Sequence, residues 1–221
     1  GWYLYVLLIQ ETLKTGAEPQ TPGFAREIYE WQIKNKLKAD GIIDRKTLFT
    51  FINYWQSRRI KPIVLATDEQ LLTATISNFY DPTRNIELLK IEKETFAAYK
   101  KMIGAAIADK NLSLKLDEKG DLSDEEQFLK LISTYRSPEY QTGLRKKEPD
   151  ASQAQIAFVS PHFTGRALDI YVGGEPVTTK DFNRAIQIKT PFYKWLVKNA
   201  EKFGFYPYFY EPWHWEFVKE K

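Results

Sequence analysis

The chain contains no cysteine, two histidines and a single methionine among 221 residues. Without cysteine it forms no disulfide staple, no thiolate-ligated zinc or iron–sulfur site, and no thiol nucleophile. Any histidine chemistry must pass through His162, His214 or both. A large excess of one charge is also missing. The 32 Lys and Arg against 29 Asp and Glu leave a formal charge of +3, too balanced for a protein built around nucleic acid. No run approaches the ~20 apolar residues that a membrane span needs. What is present is ample core material: 43% hydrophobic residues, with 14 Phe, 13 Tyr and 6 Trp, beside 28% charged residues. That is the composition of a soluble globular protein, long enough for one domain or two small ones.

Gly1 to Ile9 (GWYLYVLLI) is apolar but has no basic segment and no small-residue cleavage site. It reads as a core-packing first helix that ends near Gly16, rather than the remnant of a signal peptide. Residues 15–23 hold two Pro and two Gly and mark a break. Apolar spacing predicts a helix from Phe24 to Leu37, a turn at Asp40-Gly41, and another helix from Leu48 to Trp55 with Asp44 as its N-cap. Residues 57–64 (SRRIKPIV) look like a linker. Beyond it, Glu94 to Ala108 has helical spacing and Leu112 to Leu116 alternates like a short strand. Ser123 with Glu126 has the spacing of a capping box, which predicts a helix there.

Trp31-Gln32, Leu37, Asp40-Gly41-Ile42-Ile43 and Thr47-Leu48 follow a recognisable order. In that pattern the stretch 1–60 resembles the small peptidoglycan-binding domain attached to many cell-wall hydrolases. It departs at Asp44-Arg45, where that family usually has Gly-Pro. The resemblance implies an all-helical module over residues 1–62, with glycan contact as its expected role.

Three later segments carry the chemistry: Ser133 to Gln141, Ser160 to Ile170, and Glu211-Pro212-Trp213-His214-Trp215-Glu216. Leu168, Ile170 and Val172 alternate with Ala167, Asp169 and Tyr171, a strand pattern that sets Asp169 on a different face from the aliphatic residues. Trp213, Trp215 and Phe217 alternate in the same way with His214, Glu216 and Val218. Two His, one Asp and a nearby Glu suit a zinc site with an open fourth position, in which the metal acidifies water and a carboxylate takes its proton. Spacing alone leaves open whether these groups are ligands or satisfied hydrogen-bonding residues, and the HExxH signature is absent.

Ser160-x-His162-x-x-Gly165-x-Ala167-x-Asp169, followed by Glu211-x-x-His214, resembles the paired signature of the zinc D-alanyl-D-alanine peptidases. Lysostaphin-type enzymes and the hedgehog signalling domain share that superfamily. Tyr135-Arg136-Ser137-x-x-x-Gln141 and Glu211-Pro212-Trp213-His214 are similar to its VanY-type carboxypeptidase branch. Thr134 departs from the Gly that many relatives carry before Tyr-Arg-Ser. The resemblance covers about residues 66–221 and implies a catalytic domain over 63–221, of α+β class. A small antiparallel sheet with flanking helices would carry the Zn2+.

Residue by residue, it implies His162, Asp169 and His214 as zinc ligands and Glu211 as the general base. Arg136 would hold the substrate's terminal carboxylate or an oxyanion. Gln141, Ser160 and Trp213 would be further substrate contacts, and Gly165 would permit a close backbone approach. Plain alternation favours Glu216 over Glu211 on the face of His214; the family pattern favours Glu211, with Pro212 bending the chain. On that basis Glu216→Ala is expected to be mild. The implied activity is removal of a terminal D-alanine from peptidoglycan stem peptides, outside the cytoplasm and with a leader removed from this chain. The alternatives are an endopeptidase on the same scaffold, or a non-catalytic cell-wall-binding protein.

Overall fold

The structure, a computed structural model, describes residues 1–150 and 157–219. It divides into two compact units, Gly1–Arg58 and Arg59–Lys221.

The first unit holds three α-helices, α1 (Val6–Leu13), α2 (Pro22–Lys34) and α3 (Arg45–Ser57). The starts of α2 and α3 have local causes. Thr21 accepts the Phe24 N–H at 3.2 Å with Pro22 in the first turn, and Asp44 accepts the Thr47 N–H at 2.7 Å. Leu4, Leu8, Ile9, Phe24, Ile28, Phe51 and Trp55 form the core, and the Trp31 and Phe51 rings stack 3.7 Å apart. The side chain of Gln32 is buried and fully used. Its Oε1 accepts the N–H groups of Asp40 and Gly41, while its Nε2 donates to Ile42 O and Thr47 Oγ1. Gly41 sits at φ +71°, and a Cβ there would lie 2.7 Å from Ala25 O. The Gln32, Asp40-Gly41-Ile42 and Thr47 pattern thus has a structural reason: one buried amide staples the loop between α2 and α3.

In the second unit, β1 (Leu71–Thr73) pairs antiparallel with β2 (Lys90–Glu92). Helix α4 (Lys93–Ala108) follows, with Glu92 capping the N–H of Thr95 at 2.7 Å. The main sheet contains β3 (Leu131–Ser133), β4 (Ala167–Ile170), β5 (Phe205–Pro207) and β6 (His214–Phe217). Its order is β3-β4-β6-β5, all antiparallel. Helices α5 (Pro138–Lys147), α6 (Asp181–Gln187) and α7 (Pro191–Asn199) complete an α+β fold.

The register of the sheet separates packing from chemistry. Directly opposed residues share a face. Leu168 faces Trp215, Ile170 faces Leu131 and Phe205 faces Phe217, so this set makes the apolar face. Asp169 faces His214 and Ala167 faces Glu216 on the other. The register shifts between Leu131 and Ser133, which sets Ser133 opposite Asp169; unshifted, it would face Leu168. The irregularity therefore turns the end of β3, just before Arg136, toward the polar face.

Two sequence expectations fail here. No helix starts at Ser123: the Glu126 carboxylate is buried and accepts the N–H groups of Lys115, Gln127 and Phe128 instead. Leu112 to Leu116 form no strand; Leu112 ends a 3-10 turn, and Leu116 makes one isolated bridge to Leu122. Among the described residues, no helix is long and apolar enough to cross a membrane.

Candidate metal centre and active site

His162 leaves a short 3-10 turn, Pro161–Thr164, that precedes β4. Ser160 caps this turn by accepting the His162 N–H at 3.3 Å. Gly165 closes it at φ +64°, where a Cβ would lie 2.9 Å from the Glu92 nitrogen, and its carbonyl accepts the Glu92 N–H at 3.1 Å. The turn lifts His162 beside Asp169, and the pairing of β4 with β6 brings His214 alongside.

His162, Asp169 and His214 are 2%, 1% and 4% exposed, so their mutual approach is built in rather than a surface coincidence. One donor atom from each lies within 4.8 Å of the others, a set that could hold a metal ion. His162 Nε2 lies 3.3 Å and His214 Nδ1 2.9 Å from Asp169 Oδ1. Tetrahedral zinc with ligands near 2.0–2.1 Å separates its donors by about 3.3 Å. The spacing and the nitrogen–oxygen donor set fit that ion.

Each donor is turned by a partner of its own. His162 Nδ1–H donates to Thr134 O, leaving Nε2 for a metal. His214 Nε2–H donates to Glu216 Oε1 at 3.2 Å, leaving Nδ1. Asp169 Oδ2 accepts from Arg136 Nη2, leaving Oδ1. Carboxylate and carbonyl partners of this kind fix ring tautomers and orientations at metal sites.

The electrostatics follow from this arrangement. Burial, reinforced by the Arg136 guanidinium, pushes His162 down to about 4, so it is neutral at pH 7. Burial alone would raise Asp169, but His162 and Arg136 hold it well below the usual carboxylate range. Burial also opposes charge on His214, yet Asp169 and Glu216 outweigh it and lift the ring to about 9. In the metal-free protein His214 is therefore a cation at neutral pH. A metal needs the Nδ1 lone pair, so binding must expel that proton. Zinc uptake at pH 8 should release close to one proton. Apparent affinity should rise with pH up to about 9 and level off above it. Calorimetry in buffers of different ionisation enthalpy measures the release, and none would show that His214 is already neutral.

Glu211 and Glu216 occupy different environments. Glu211 precedes a turn through Pro212 and Trp213 that is closed by the His214 N–H to Glu211 O at 2.9 Å. This folds Glu211 back beside the strand that carries His214. Burial raises it to about 7, partly offset by nearby His214. Glu216 is fully buried; burial alone would raise it, but His214 and Arg59 hold it at about 2. Its carboxylate also accepts from Arg59 Nε at 2.8 Å and from the Ile60 N–H at 2.8 Å. The mild effect expected for Glu216→Ala does not suit these surroundings. Truncation would leave Arg59, the Ile60 N–H and His214 Nε2 without their shared acceptor.

The remaining sequence candidates divide. Arg136 anchors its Nε on Ser133 Oγ at 2.9 Å and its Nη2 on Asp169, while Nη1 has no partner among the described residues. Gln141 is buried, donates to Ala157 O at 2.8 Å, and has an Oε1 without a partner among the described residues. Ser160 is buried as the cap described above. Trp213 is buried, and its carbonyl accepts the Ile170 N–H at 2.8 Å. Ser133 and the Thr134 carbonyl join the site from within the first segment, where the sequence assigned them no role, and Arg59 joins it without having been singled out. Nothing in the local sequence signalled Arg59.

The profile of a family described as D-alanyl-D-alanine carboxypeptidase, VanY, matches residues 89–220. No curated protein matches the chain. Among solved structures, one described as "Structure of the LdcB LD-carboxypeptidase reveals the molecular basis of peptidoglycan recognition" is similar. It shows 23% identity and a TM-score of 0.47 over 72% of each chain.

Proposed function

The chain belongs to the VanY D-alanyl-D-alanine carboxypeptidase family, and from that premise we propose a zinc-dependent carboxypeptidase that removes a terminal D-alanine from peptidoglycan stem peptides. One observation carries the reading: three buried donors, each turned by its own partner, converge beside a glutamate held near neutrality. His162 Nε2, Asp169 Oδ1 and His214 Nδ1 would hold the ion. Zinc there would supply Lewis acidity, making water easier to deprotonate and a carbonyl easier to attack.

The chain's own groups supply the rest. Glu211 takes a proton as water oxygen bonds to the scissile carbonyl carbon. It returns that proton to the departing amine nitrogen as the C–N bond breaks. Burial raises this carboxyl group above the ordinary glutamate range in the metal-free protein, which favours a group that can both take and return a proton. Glu216, held at about 2 and saturated with donors, is a poor proton acceptor. Arg136 is held by Ser133 and Asp169 so that its Nη1 remains for the substrate's terminal carboxylate. Trp213, Ser160 and Gln141 act by holding the backbone around these groups.

Selection for a free carboxylate gives the test. A synthetic stem peptide with its terminal carboxylate amidated should lose about tenfold to a hundredfold in kcat/KM, a loss of one charge-assisted hydrogen bond's order. Equal cleavage of both peptides would contradict the carboxypeptidase mode and favour internal cleavage. We assign the first unit glycan contact, supported by the resemblance of its Gln32 and Asp40-Gly41-Ile42 loop. A peptidoglycan substrate supports a location outside the cytoplasm.

A further inference from the structure

Arg59 opens the second unit and lies outside residues 89–220, the part that matches the family. Its Nε donates to Glu216 Oε1 at 2.8 Å, and its Nη2 donates to the same oxygen. The next residue completes the cradle, with the Ile60 N–H donating to Glu216 Oε2 at 2.8 Å. The guanidinium also lies over the Tyr208 ring, 4.1 Å from its centroid. Tyr208 in turn meets the His214 ring edge-on at 5.8 Å.

The geometry points to Arg59 as a positioning residue for the metal centre: it fixes the Glu216 carboxylate, and Glu216 fixes the ring plane and tautomer of His214. This rests on the zinc reading above. Metal affinity in this chain would then depend on a residue that the family domain does not contain.

The physical case is one of geometry. Glu216 is fully buried, so its carboxylate cannot turn to water without moving β6. His214 Nε2, at 3.2 Å, is the longest of its contacts and cannot hold it alone. The Arg59 fork and the Ile60 N–H set where Oε1 sits, and Oε1 is the atom that faces His214. A lysine at this position would keep the charge but lose both the two-donor fork and the stacking on Tyr208. Outer partners of metal-binding histidines contribute roughly 10–100-fold to affinity. A purely structural Arg59 would instead support folding without altering how the folded protein holds its ion.

The test uses the full chain, with Arg59→Ala, Arg59→Lys and Glu216→Gln beside the unaltered protein. Zinc affinity is read by competition with a chromogenic chelator, the ligand field by Co(II) absorption, and folding by circular dichroism. The expected result is a loss of zinc affinity of roughly 10–100-fold in Arg59→Ala with a shifted Co(II) band. Arg59→Lys should fall between that variant and the unaltered protein, and Glu216→Gln should lose about tenfold or more. Unchanged affinity and spectrum in folded Arg59→Ala would overturn the inference. Should that variant not fold, the same result in Glu216→Gln would overturn it. Failure of the unaltered protein to bind zinc would instead overturn the metal reading, and this inference with it.

Discussion

Replacing Glu211 by glutamine should lower kcat by roughly 10²–10⁴-fold while zinc affinity changes little. Glu211 is not among the three donors, so its loss removes a proton carrier and leaves the ligands in place. Glutamine keeps the volume and cannot take the proton. The pH profile carries the same information. Burial sets Glu211 at about 7 without metal, and a bound dication would favour its charged form and pull that value down. The base must be ionised to act, so kcat/KM should fall as pH drops, with an acid limb at or below about 7. That limb should vanish in Glu211→Gln. Retained turnover in the variant would move the base elsewhere.

Asp169 is the second position with a large expected effect, because it serves three roles at once. It would be a ligand in the proposed zinc site, it is the acceptor for Arg136 Nη2, and it is the neighbour of both histidines. Asp169→Ala should weaken zinc by more than the 10–100-fold that an outer partner contributes. It should also destabilise the metal-free protein by about 3 kcal/mol, since Arg136 loses its buried counter-charge. Asp169→Asn separates the two roles. The amide oxygen can still accept from Arg136, so the stability cost should shrink while zinc binding stays poor. Urea unfolding in chelator measures the first effect and chelator competition the second. Equal stability of Asp169→Ala and the unaltered protein would show that Arg136 finds compensation elsewhere.

The legible parts of the site were those written in local periodicity. Alternation along 167–172 and 213–218 sets Asp169, His214 and Glu216 on one side of their strands, and the register bears this out. Helices α2, α3 and α4 announced themselves through apolar spacing, with Asp44 capping α3 as expected. What stayed hidden depends on contacts between distant residues. Glu126 has the spacing of a helix cap, but three backbone N–H groups in a loop claim its carboxylate. Tertiary demand there outweighs a local pattern. Arg59 stands in a basic, proline-containing stretch that reads as a linker, and its partner lies 157 positions further on. The family pattern favoured Glu211 over Glu216 in the sequence, but their different surroundings were not legible there. Both are glutamates near His214, and they differ in what surrounds them: one is held near neutrality, the other is saturated by Arg59 and Ile60.

Mass spectrometry of purified muropeptides incubated with the zinc-loaded protein, with a chelator control, tests the proposed activity most directly. The account predicts loss of a single terminal alanine from the stem, abolished by the chelator and restored by zinc. Stems that keep their terminal alanine, whether untouched or cut internally, would contradict it.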